Sequence, residues 1–295
     1  MKSISPVLLG ISLAFCAASI SAAQDAAAPA MPKVLLFQRE ILKPGKSGAI
    51  HDKSEAAFVQ TMNKYKVPYP YIALNSISGK PRAIFVTPYD SFAALEKNND
   101  LADKNPALSA DLDRAFSSDG QLLDSYDVAI FTYDEDLSYK PKPDVSHARY
   151  VEFTVFHVKP GHREDFMQAA KMVKETHDKA GTNAHWGTYE LAYGGADGIF
   201  IAIGTDESLA EIDQAFSEEK KWSDALGEEG MKKLAALSAA GLVEVSNELF
   251  AINPKQSYPP PSFLKSNPDF WKPKAKAPET DAAKPATKAP APPKP

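Results

Sequence analysis

The sequence predicts an α+β protein made of two successive β-α-β-β-α-β units. Twice in the sequence, a strand-like run precedes a Lys-Pro-Gly triplet and a helical pattern follows it. The two triplets begin at Lys43 and Lys159, 116 residues apart. Further matches keep nearly the same offset, since residues 84–86 correspond to 199–201 and 91–95 to 208–212. A period of this length indicates two similar domains rather than an array of short repeats.

In the first unit, residues 33–140, segments with strand-like and helix-like hydrophobic periodicity follow one another in the order β-α-β-β-α-β. Apolar positions at helical spacing mark the first helix, and Gly79 with Pro81 favours a tight reversal between two strands. Asp90 can cap the second helix. The predicted strands are 33–42, 71–76, 83–87 and 126–133, and the predicted helices are 46–65, 91–98 and 106–116.

The second unit, residues 147–253, repeats this order after a charged joint at 134–147 that contains Pro141 and Pro143. Its predicted strands are 148–158, 184–192, 199–203 and 242–252, and its predicted helices are 162–179, 206–216 and 228–240.

Residues 1–23 have the pattern of a secretory signal peptide. Lys2 supplies the positive end, residues 7–18 the apolar run, and small residues 21–23 a cleavage site. Export to the periplasm or the exterior is therefore expected, with no transmembrane segment after cleavage. The single cysteine, Cys16, lies in this segment, and lipidation there is the alternative, although Phe15 is bulky for the position before a lipidated cysteine.

The two ends of the mature chain are predicted to lie outside the folded units. Residues 24–32 form an Ala/Pro-rich linker, and residues 254–295, which hold 12 of the 24 prolines, form a disordered Pro/Lys/Ala-rich tail. Four side chains of the tail are large and apolar enough to pack on the folded units: Phe263, Leu264, Phe270 and Trp271. The tail carries eight lysines against three acidic residues, so it is either a solvated segment or a tether to an anionic envelope surface.

Charge excludes one class of partner. The whole chain has a formal charge of −5 although the tail is basic, so the two units are acidic. Nucleic-acid binding needs a concentrated basic face, and neither unit offers one. A small molecule is the expected partner, with envelope contact through the tail as a further possibility.

Residues 33–252 resemble the dimeric α/β-barrel superfamily, closest in character to its antibiotic-biosynthesis-monooxygenase-like and NIPSNAP-like branches, some of which carry two ferredoxin-like units in one chain. The resemblance rests on element order and repeat length. It implies an intramolecular α/β barrel, with sites inside the barrel or between the sheet and its helices. Members include oxygenases, haem-degrading enzymes, haem-dependent peroxidases and proteins with no known activity, so fold does not select among them.

Three functional hypotheses follow, and whether the protein is an enzyme stays open. The first is an exported protein that binds a small apolar or aromatic molecule in the barrel. The alternative is a cofactor-independent or haem-linked monooxygenase-type oxidoreductase. A structural module tethered through its tail is a third class. No residue pattern requires a cofactor, but haem is possible.

His177 is the candidate catalytic or ligand-contacting residue. It continues the apolar face of the helix at 162–179, and its counterpart 116 residues earlier is Thr61, so the shared scaffold does not require it. Three further residues, His185, Trp186 and Tyr189, follow and complete a cluster suited to a flat organic molecule. The alternative is a core histidine with satisfied hydrogen bonds. The resemblance adds that haem-degrading members use Asn, Trp and His, which Asn183, Trp186 and His177 match in residue type alone.

Strand alternation predicts a second group of ligand-contacting residues. The apolar set that contains Leu35 and Phe37 is expected to meet the helices. The alternate set is then expected to face the barrel interior and to line a polar cavity: Gln38, Glu40, Glu152 and Thr154. A structural hydrogen-bond network between the repeats is the alternative for these residues.

No metal site is predicted, because His157 and His162 flank a turn instead of sharing a helix face, and the mature chain has no cysteine. The glycines at 194–198 lie between two strands, so they mark a hairpin and not a dinucleotide loop. A Gly-x-Ser-x-Gly nucleophile elbow does not occur in the sequence.

Overall fold

The computed structural model describes residues 30–272, in which eight strands alternate with helices. The predicted signal peptide, most of the linker and residues 273–295 lie outside the described residues. The first half contains β1 (Val34–Leu42), α1 (Ala49–Tyr65), β2 (Ile72–Ser76), β3 (Arg82–Tyr89), α2 (Phe92–Asp103), α3 (Pro106–Asp119) and β4 (Leu123–Tyr139). The second half contains β5 (Tyr150–Val158), α4 (Arg163–Ala180), β6 (Trp186–Tyr193), β7 (Ile199–Asp206), α5 (Leu209–Gly241) and β8 (Leu242–Ile252), followed by α6 (Pro261–Ser266) and α7 (Pro268–Trp271).

The strands form a closed antiparallel barrel in the order β1-β3-β2-β8-β5-β7-β6-β4. The order is β4-β1-β3-β2 in the first half and β8-β5-β7-β6 in the second, which is the same arrangement. Two seams join the halves, with Leu74 of β2 opposite Ile252 of β8 and Thr132 of β4 opposite Glu190 of β6. The predicted α+β class is confirmed, and closure leaves the barrel strands without a free edge.

The leading strands of the two halves have matching positions. β1 and β5 are each nine residues long, and their first residues, Val34 and Tyr150, are 116 positions apart, as the Lys-Pro-Gly triplets are. One predicted boundary was wrong, because β4 continues into the first part of the expected joint and ends at Tyr139. The two helices expected after β7 are found as the two segments of α5, which are separated at Gly227, where the backbone is not helical (φ 72°).

Side chains from all eight strands fill the barrel interior. Phe37 stacks on Phe153 with 5.7 Å between ring centroids, and Phe153 contacts Phe250 at 5.0 Å. These three rings are at most 2% exposed. Such contacts make the interior a packed core, as in other small barrels, so the predicted ligand cavity in the barrel was wrong.

The predicted assignment of strand faces was reversed. Leu35 and Phe37 lie in the interior core, whereas Glu40 lies on the outer face, where it contacts α1. The physical reason is that closure buries one face of every strand completely, and this face takes the most apolar side chains. Helices cover the outer face in patches, so polar residues are tolerated there.

Part of the predicted disordered tail is ordered. Residues 254–272 continue from β8 and contain two short helices, α6 and α7. Trp271 is 4% exposed within the interior core, where its Nε1 donates to the Ser146 carbonyl oxygen at 2.9 Å. The docking expected of four side chains is seen, because Phe263, Leu264 and Phe270 pack against the same core. Burial of the aromatic side chains therefore stabilises an ordered segment, although its prolines favour an extended chain.

Candidate metal centre

Four ionisable side chains meet in a buried space between α1, the end of α3 and the outer face of β1. They are Glu40, His51, Glu55 and Asp119, and each is between 1% and 3% exposed. One potential ligand atom from each residue lies within 4.8 Å of all the others. Charged groups are almost never buried this completely without a partner, so the cluster needs a chemical explanation.

Local structure brings the four residues together. Glu40 is an outward position of β1, and His51 and Glu55 are one turn apart on α1, so their side chains share a helix face. Gly48, whose φ of 72° suits glycine, turns the chain into α1. Asp119 is the last residue of α3, which packs on α1.

The distances fit coordination of one cation. His51 Nε2 lies 2.9 Å from Glu40 Oε2, 3.5 Å from Glu55 Oε1 and 3.7 Å from Asp119 Oδ1. An ion placed about 2.1 Å from each donor separates adjacent donors by roughly 3.0 Å in octahedral and roughly 3.4 Å in tetrahedral geometry. The imidazole nitrogen and the three carboxylate oxygens are therefore arranged like a ligand set.

Two of these oxygens have no hydrogen-bond partner among the described residues. They are Glu55 Oε1 and Asp119 Oδ1, the same atoms that face His51 Nε2. A buried polar atom without a partner costs on the order of 1–3 kcal/mol. A cation between the oxygens and the imidazole would satisfy both at once.

Electrostatics in the cluster favour protonation when no cation is bound. Burial raises the pKa of Glu55 to about 8 against the opposing influence of His51 Nε2, which is 3.5 Å from Oε1, and the charges of Glu40 and Asp119 add to the increase. Burial also raises the pKa of Glu40. Burial alone would lower the pKa of His51, but the hydrogen bond with Glu40 and the negative charges of Glu55 and Glu40 outweigh it and raise this pKa to about 10. A bound cation replaces these protons.

Two neighbouring features complete the centre. Gln256, which is fully buried, places its Nε2 3.1 Å from His51 Nδ1, on the side of the ring away from the carboxylates. A cleft of about 360 Å³ reaches His51 from the surface, between the start of α1 and the β2–β3 hairpin, and it is also lined by Asn75 and Arg82. The cleft ends at His51, which is itself only 1% exposed.

The second half has no counterpart of this cluster. With the 116-residue offset, Glu40 corresponds to Phe156 and His51 to Met167. Phe156 and Met167 pack with Phe166 and Phe200 in an apolar cluster. The same position in the barrel therefore packs well with apolar side chains, so the polar cluster of the first half is not a requirement of the fold.

Of the predicted pocket residues, the structure brings two together. His177 and Trp186 are 5.5 Å apart by ring centroid, and Tyr139 and Trp222 pack on the same imidazole at 5.8 Å and 5.7 Å. His177 Nδ1 is 2.7 Å from Thr182 Oγ1, and burial lowers the pKa of His177. The arrangement fits the alternative of a packed histidine with a satisfied hydrogen bond.

The other two members of that predicted cluster lie elsewhere. Tyr189 is 1% exposed in the barrel interior, 5.3 Å by ring centroid from Tyr133. His185 contacts backbone, with its Nε2 2.9 Å from the Thr205 carbonyl oxygen. The His-Trp-Tyr pocket expected from the sequence is therefore not assembled as one site.

The predicted polar set is also dispersed over the outer face. Gln38 Nε2 donates to Tyr126 Oη at 3.0 Å, Thr154 Oγ1 donates to Asn247 Oδ1 at 3.0 Å, and Glu152 is exposed. Glu40 alone among them belongs to the buried centre. The sequence analysis missed His51 and Glu55, although their i, i+4 spacing on a predicted helix is a recognisable signal for a metal pair.

Of the known proteins compared with this chain, only solved structures match it. No protein-family model matches the chain, and no curated protein matches it. Among solved structures, the chain is similar to a candidate monooxygenase from Fusobacterium nucleatum subsp. nucleatum ATCC 25586, with 14% identity, a TM-score of 0.48, and coverage of 75% of this chain and 93% of that chain. An anthrone oxidase-like protein matches with 11% identity, a TM-score of 0.48, and coverage of 75% and 92%. A mutant chlorite dismutase from Candidatus Nitrospira defluvii matches with 7% identity, a TM-score of 0.48, and coverage of 80% and 96%.

The closed eight-stranded antiparallel barrel is consistent with a dimeric α+β barrel fold. Within residues 30–272, no helix is both long enough and apolar enough to cross a membrane.

Proposed function

We propose that this protein binds one divalent metal ion through Glu40, His51, Glu55 and Asp119, and that this centre is its functional site. The observation that carries the proposal is the convergence of three carboxylates on one imidazole nitrogen in a space where each residue is at most 3% exposed. A purely structural role is less favourable, because the equivalent site of the second half is apolar and leaves no buried charge to neutralise.

The donor set favours a particular group of metals. Carboxylate oxygens suit Mg²⁺, Ca²⁺ and Mn²⁺, whereas imidazole suits Zn²⁺, Cu²⁺, Fe²⁺ and Ni²⁺. One imidazole with three carboxylates lies between these preferences, so Mn²⁺ or Fe²⁺ is the expected ion. Mn²⁺ is the better probe, because it is paramagnetic and stable in air.

Mn²⁺ titration of purified protein tests the proposal, with calorimetry for stoichiometry and electron paramagnetic resonance for free ion. We expect one site per chain, lost in Glu55→Gln and Asp119→Asn, which keep side-chain shape but remove a charge. Lys171→Gln is the matched control, because Lys171 is the exposed α4 residue at the position equivalent to Glu55. Absence of Mn²⁺ binding, or equal binding by Glu55→Gln, would show that the cluster is a structural hydrogen-bond network.

A monooxygenase-type oxidoreductase is the second candidate function. The observation in its favour is the same donor set, because Mn and Fe both change oxidation state. Oxygen consumption by Fe²⁺-loaded protein tests it, with phenolic compounds that both accept one oxygen atom and supply the two electrons that reduce the other atom to water. Turnover that persists in Asp119→Asn would place any activity outside this centre, and turnover absent from the loaded wild type would leave metal binding as the function.

Three proposals about origin and location accompany this function. The equal strand order of the halves supports duplication of a ferredoxin-like β-α-β-β-α-β unit. Residues 1–23 support export, which N-terminal sequencing of the mature protein would test. The lysines of residues 273–295 support contact with an anionic envelope, and binding to envelopes by protein that ends at Lys272 would contradict this.

A further inference from the structure

A buried tyrosine hydroxyl beside the metal centre has no partner. Tyr71 is 7% exposed, and its Oη is buried without a hydrogen-bond partner among the described residues. Its backbone is fixed, because Tyr71 and Tyr258 exchange hydrogen bonds at 2.9 Å and 3.0 Å. A phenylalanine would fill the same space without burying an unpaired hydroxyl, so this oxygen atom needs an explanation.

Apolar packing places the Tyr71 ring next to the metal centre. Tyr71 belongs to a buried cluster with Ala83 and Phe85, and Ala83 lies opposite Glu40 in the pairing of β3 with β1. The Phe85 ring is 5.9 Å from the Tyr71 ring and 6.4 Å from the His51 ring by centroid. The phenol and the imidazole therefore contact the same phenylalanine.

The hydroxyl end of Tyr71 lies near the carboxylates of the centre. Burial raises the pKa of Tyr71, and the negative charges of Glu55 and Glu40 add to the increase. The hydroxyl nevertheless makes no hydrogen bond with either carboxylate. The separation is thus longer than a hydrogen bond and short enough for the charges to act, and one small molecule can bridge such a separation.

The proposed ion has coordination positions that the protein does not fill. Octahedral coordination, which Mn²⁺ prefers, takes six donors. The four residues of the centre offer one ligand atom each, so positions remain for a ligand from solution. Catalytic metal sites keep such an open position, whereas structural sites are closed. In a centre this buried, a ligand at that position must find its hydrogen-bond partner within the protein.

We infer that Tyr71 holds a small anion on the metal ion: its hydroxyl donates a hydrogen bond to an anion that occupies an open coordination position. The inference rests on the proposed metal site. The side chains around this position are at most 7% exposed, so the ligand class is small anions that accept a hydrogen bond, such as hydroxide and azide. The partnerless hydroxyl and the open position then account for each other.

Azide titration of Co²⁺-loaded full-length protein tests the inference. Co²⁺ is next to Fe²⁺ in the order of affinity for such donors, and its visible absorption reports a change of ligand. We expect azide to bind the wild type, and Tyr71→Phe to weaken azide binding by about tenfold or more while Co²⁺ affinity stays within about twofold, because a hydrogen bond to a charged group is lost.

The infrared stretch of bound azide reports the hydrogen bond itself. In the Co²⁺-loaded wild type this stretch should shift when H₂O is replaced by D₂O, and the shift should be absent from Tyr71→Phe. The measurement on the wild type tests the hydrogen bond even if Tyr71→Phe fails to fold, and a wild type without the isotope shift would contradict it.

Tyr258→Phe is the matched control. The Tyr258 ring is 6.2 Å from the Tyr71 ring by centroid, but its Oη already donates to the Val67 carbonyl oxygen at 2.9 Å. We expect Tyr258→Phe to bind azide as the wild type does. Equal azide affinity in Tyr71→Phe and the wild type, or no azide binding by the Co²⁺-loaded wild type, would overturn the inference. Wild-type protein that binds no Co²⁺ would instead reject the metal site itself.

Discussion

His51 Nε2 lies 2.9 Å from Glu40 Oε2, and the two side chains are 1% and 4% exposed. Glu40 belongs to β1 and His51 to α1, and the Lys-Pro-Gly turn at Lys43 joins these elements. The turn is shared with the second half, but the ion pair is not, because Phe156 and Met167 take the two positions there. The contact therefore marks a chemical difference between two halves that have the same strand order.

Metal binding should stabilise the wild-type protein and leave Glu55→Gln unaffected. A ligand that binds the folded state at 100 times its dissociation constant contributes about 2.7 kcal/mol. We expect Mn²⁺ to raise the unfolding temperature of the wild type and of Lys171→Gln, measured by calorimetry. An equal increase in Glu55→Gln would mean that the ion binds elsewhere.

Without metal, Glu55→Gln should be more stable than the wild type by about 1–3 kcal/mol, because it removes a buried carboxylate beside two others. The free energy of unfolding in urea, with a chelator present, measures this. A less stable Glu55→Gln would indicate that the carboxylate is fully compensated by hydrogen bonds in the metal-free protein.

Loss of Phe37 should open a cavity in the barrel that the wild type lacks. Phe37 is 1% exposed and contacts the rings of Phe131 and Phe153. Phe37→Ala should lose about 3–5 kcal/mol of stability, and benzene should recover part of it by filling the space. Benzene that stabilises the wild type as strongly would contradict the packed interior.

Trp271 should contribute to the stability of the barrel although it lies in a proline-rich segment. Its ring contacts Phe263 and Phe270, and its Nε1 donates to the Ser146 carbonyl oxygen. Trp271→Ala should lower the free energy of unfolding by about 3–5 kcal/mol, whereas Lys272→Ala, at an exposed neighbour, should change it by less than about 0.5 kcal/mol. Equal effects would show that the segment is not docked in solution.

His177 should make stability depend on pH. Burial lowers its pKa, although the charges of Glu218 and Asp178 oppose this, so the unfolded chain binds a proton before the folded chain does. Stability should therefore fall as the pH decreases below about 6.5, the ordinary value. Unfolding curves between pH 7 and 5 should have a smaller pH dependence in His177→Gln, and an unchanged dependence would contradict this assignment.

Local residue order was sufficient to predict the class of fold and most of its elements. Strand and helix periodicities depend on local residue order, so β8 was predicted with its observed bounds and the 116-residue offset placed β1 and β5 correctly. The docking of Trp271 was also predictable from the sequence, because a large aromatic side chain in a polar segment is stabilised when it is buried against the folded units.

Tertiary structure alone decided which face of each strand is the interior and which residues form the site. Alternation separates two faces but does not say which one closure will bury, and for that reason Glu40 was assigned to the wrong side. Asp119 and Gln256 reach His51 from 68 and 205 residues away, and no local pattern predicts a contact at such separation. The cluster around His51 forms because the closed barrel packs α3 and the segment after β8 against α1, and this packing is a property of the fold and not of a local sequence.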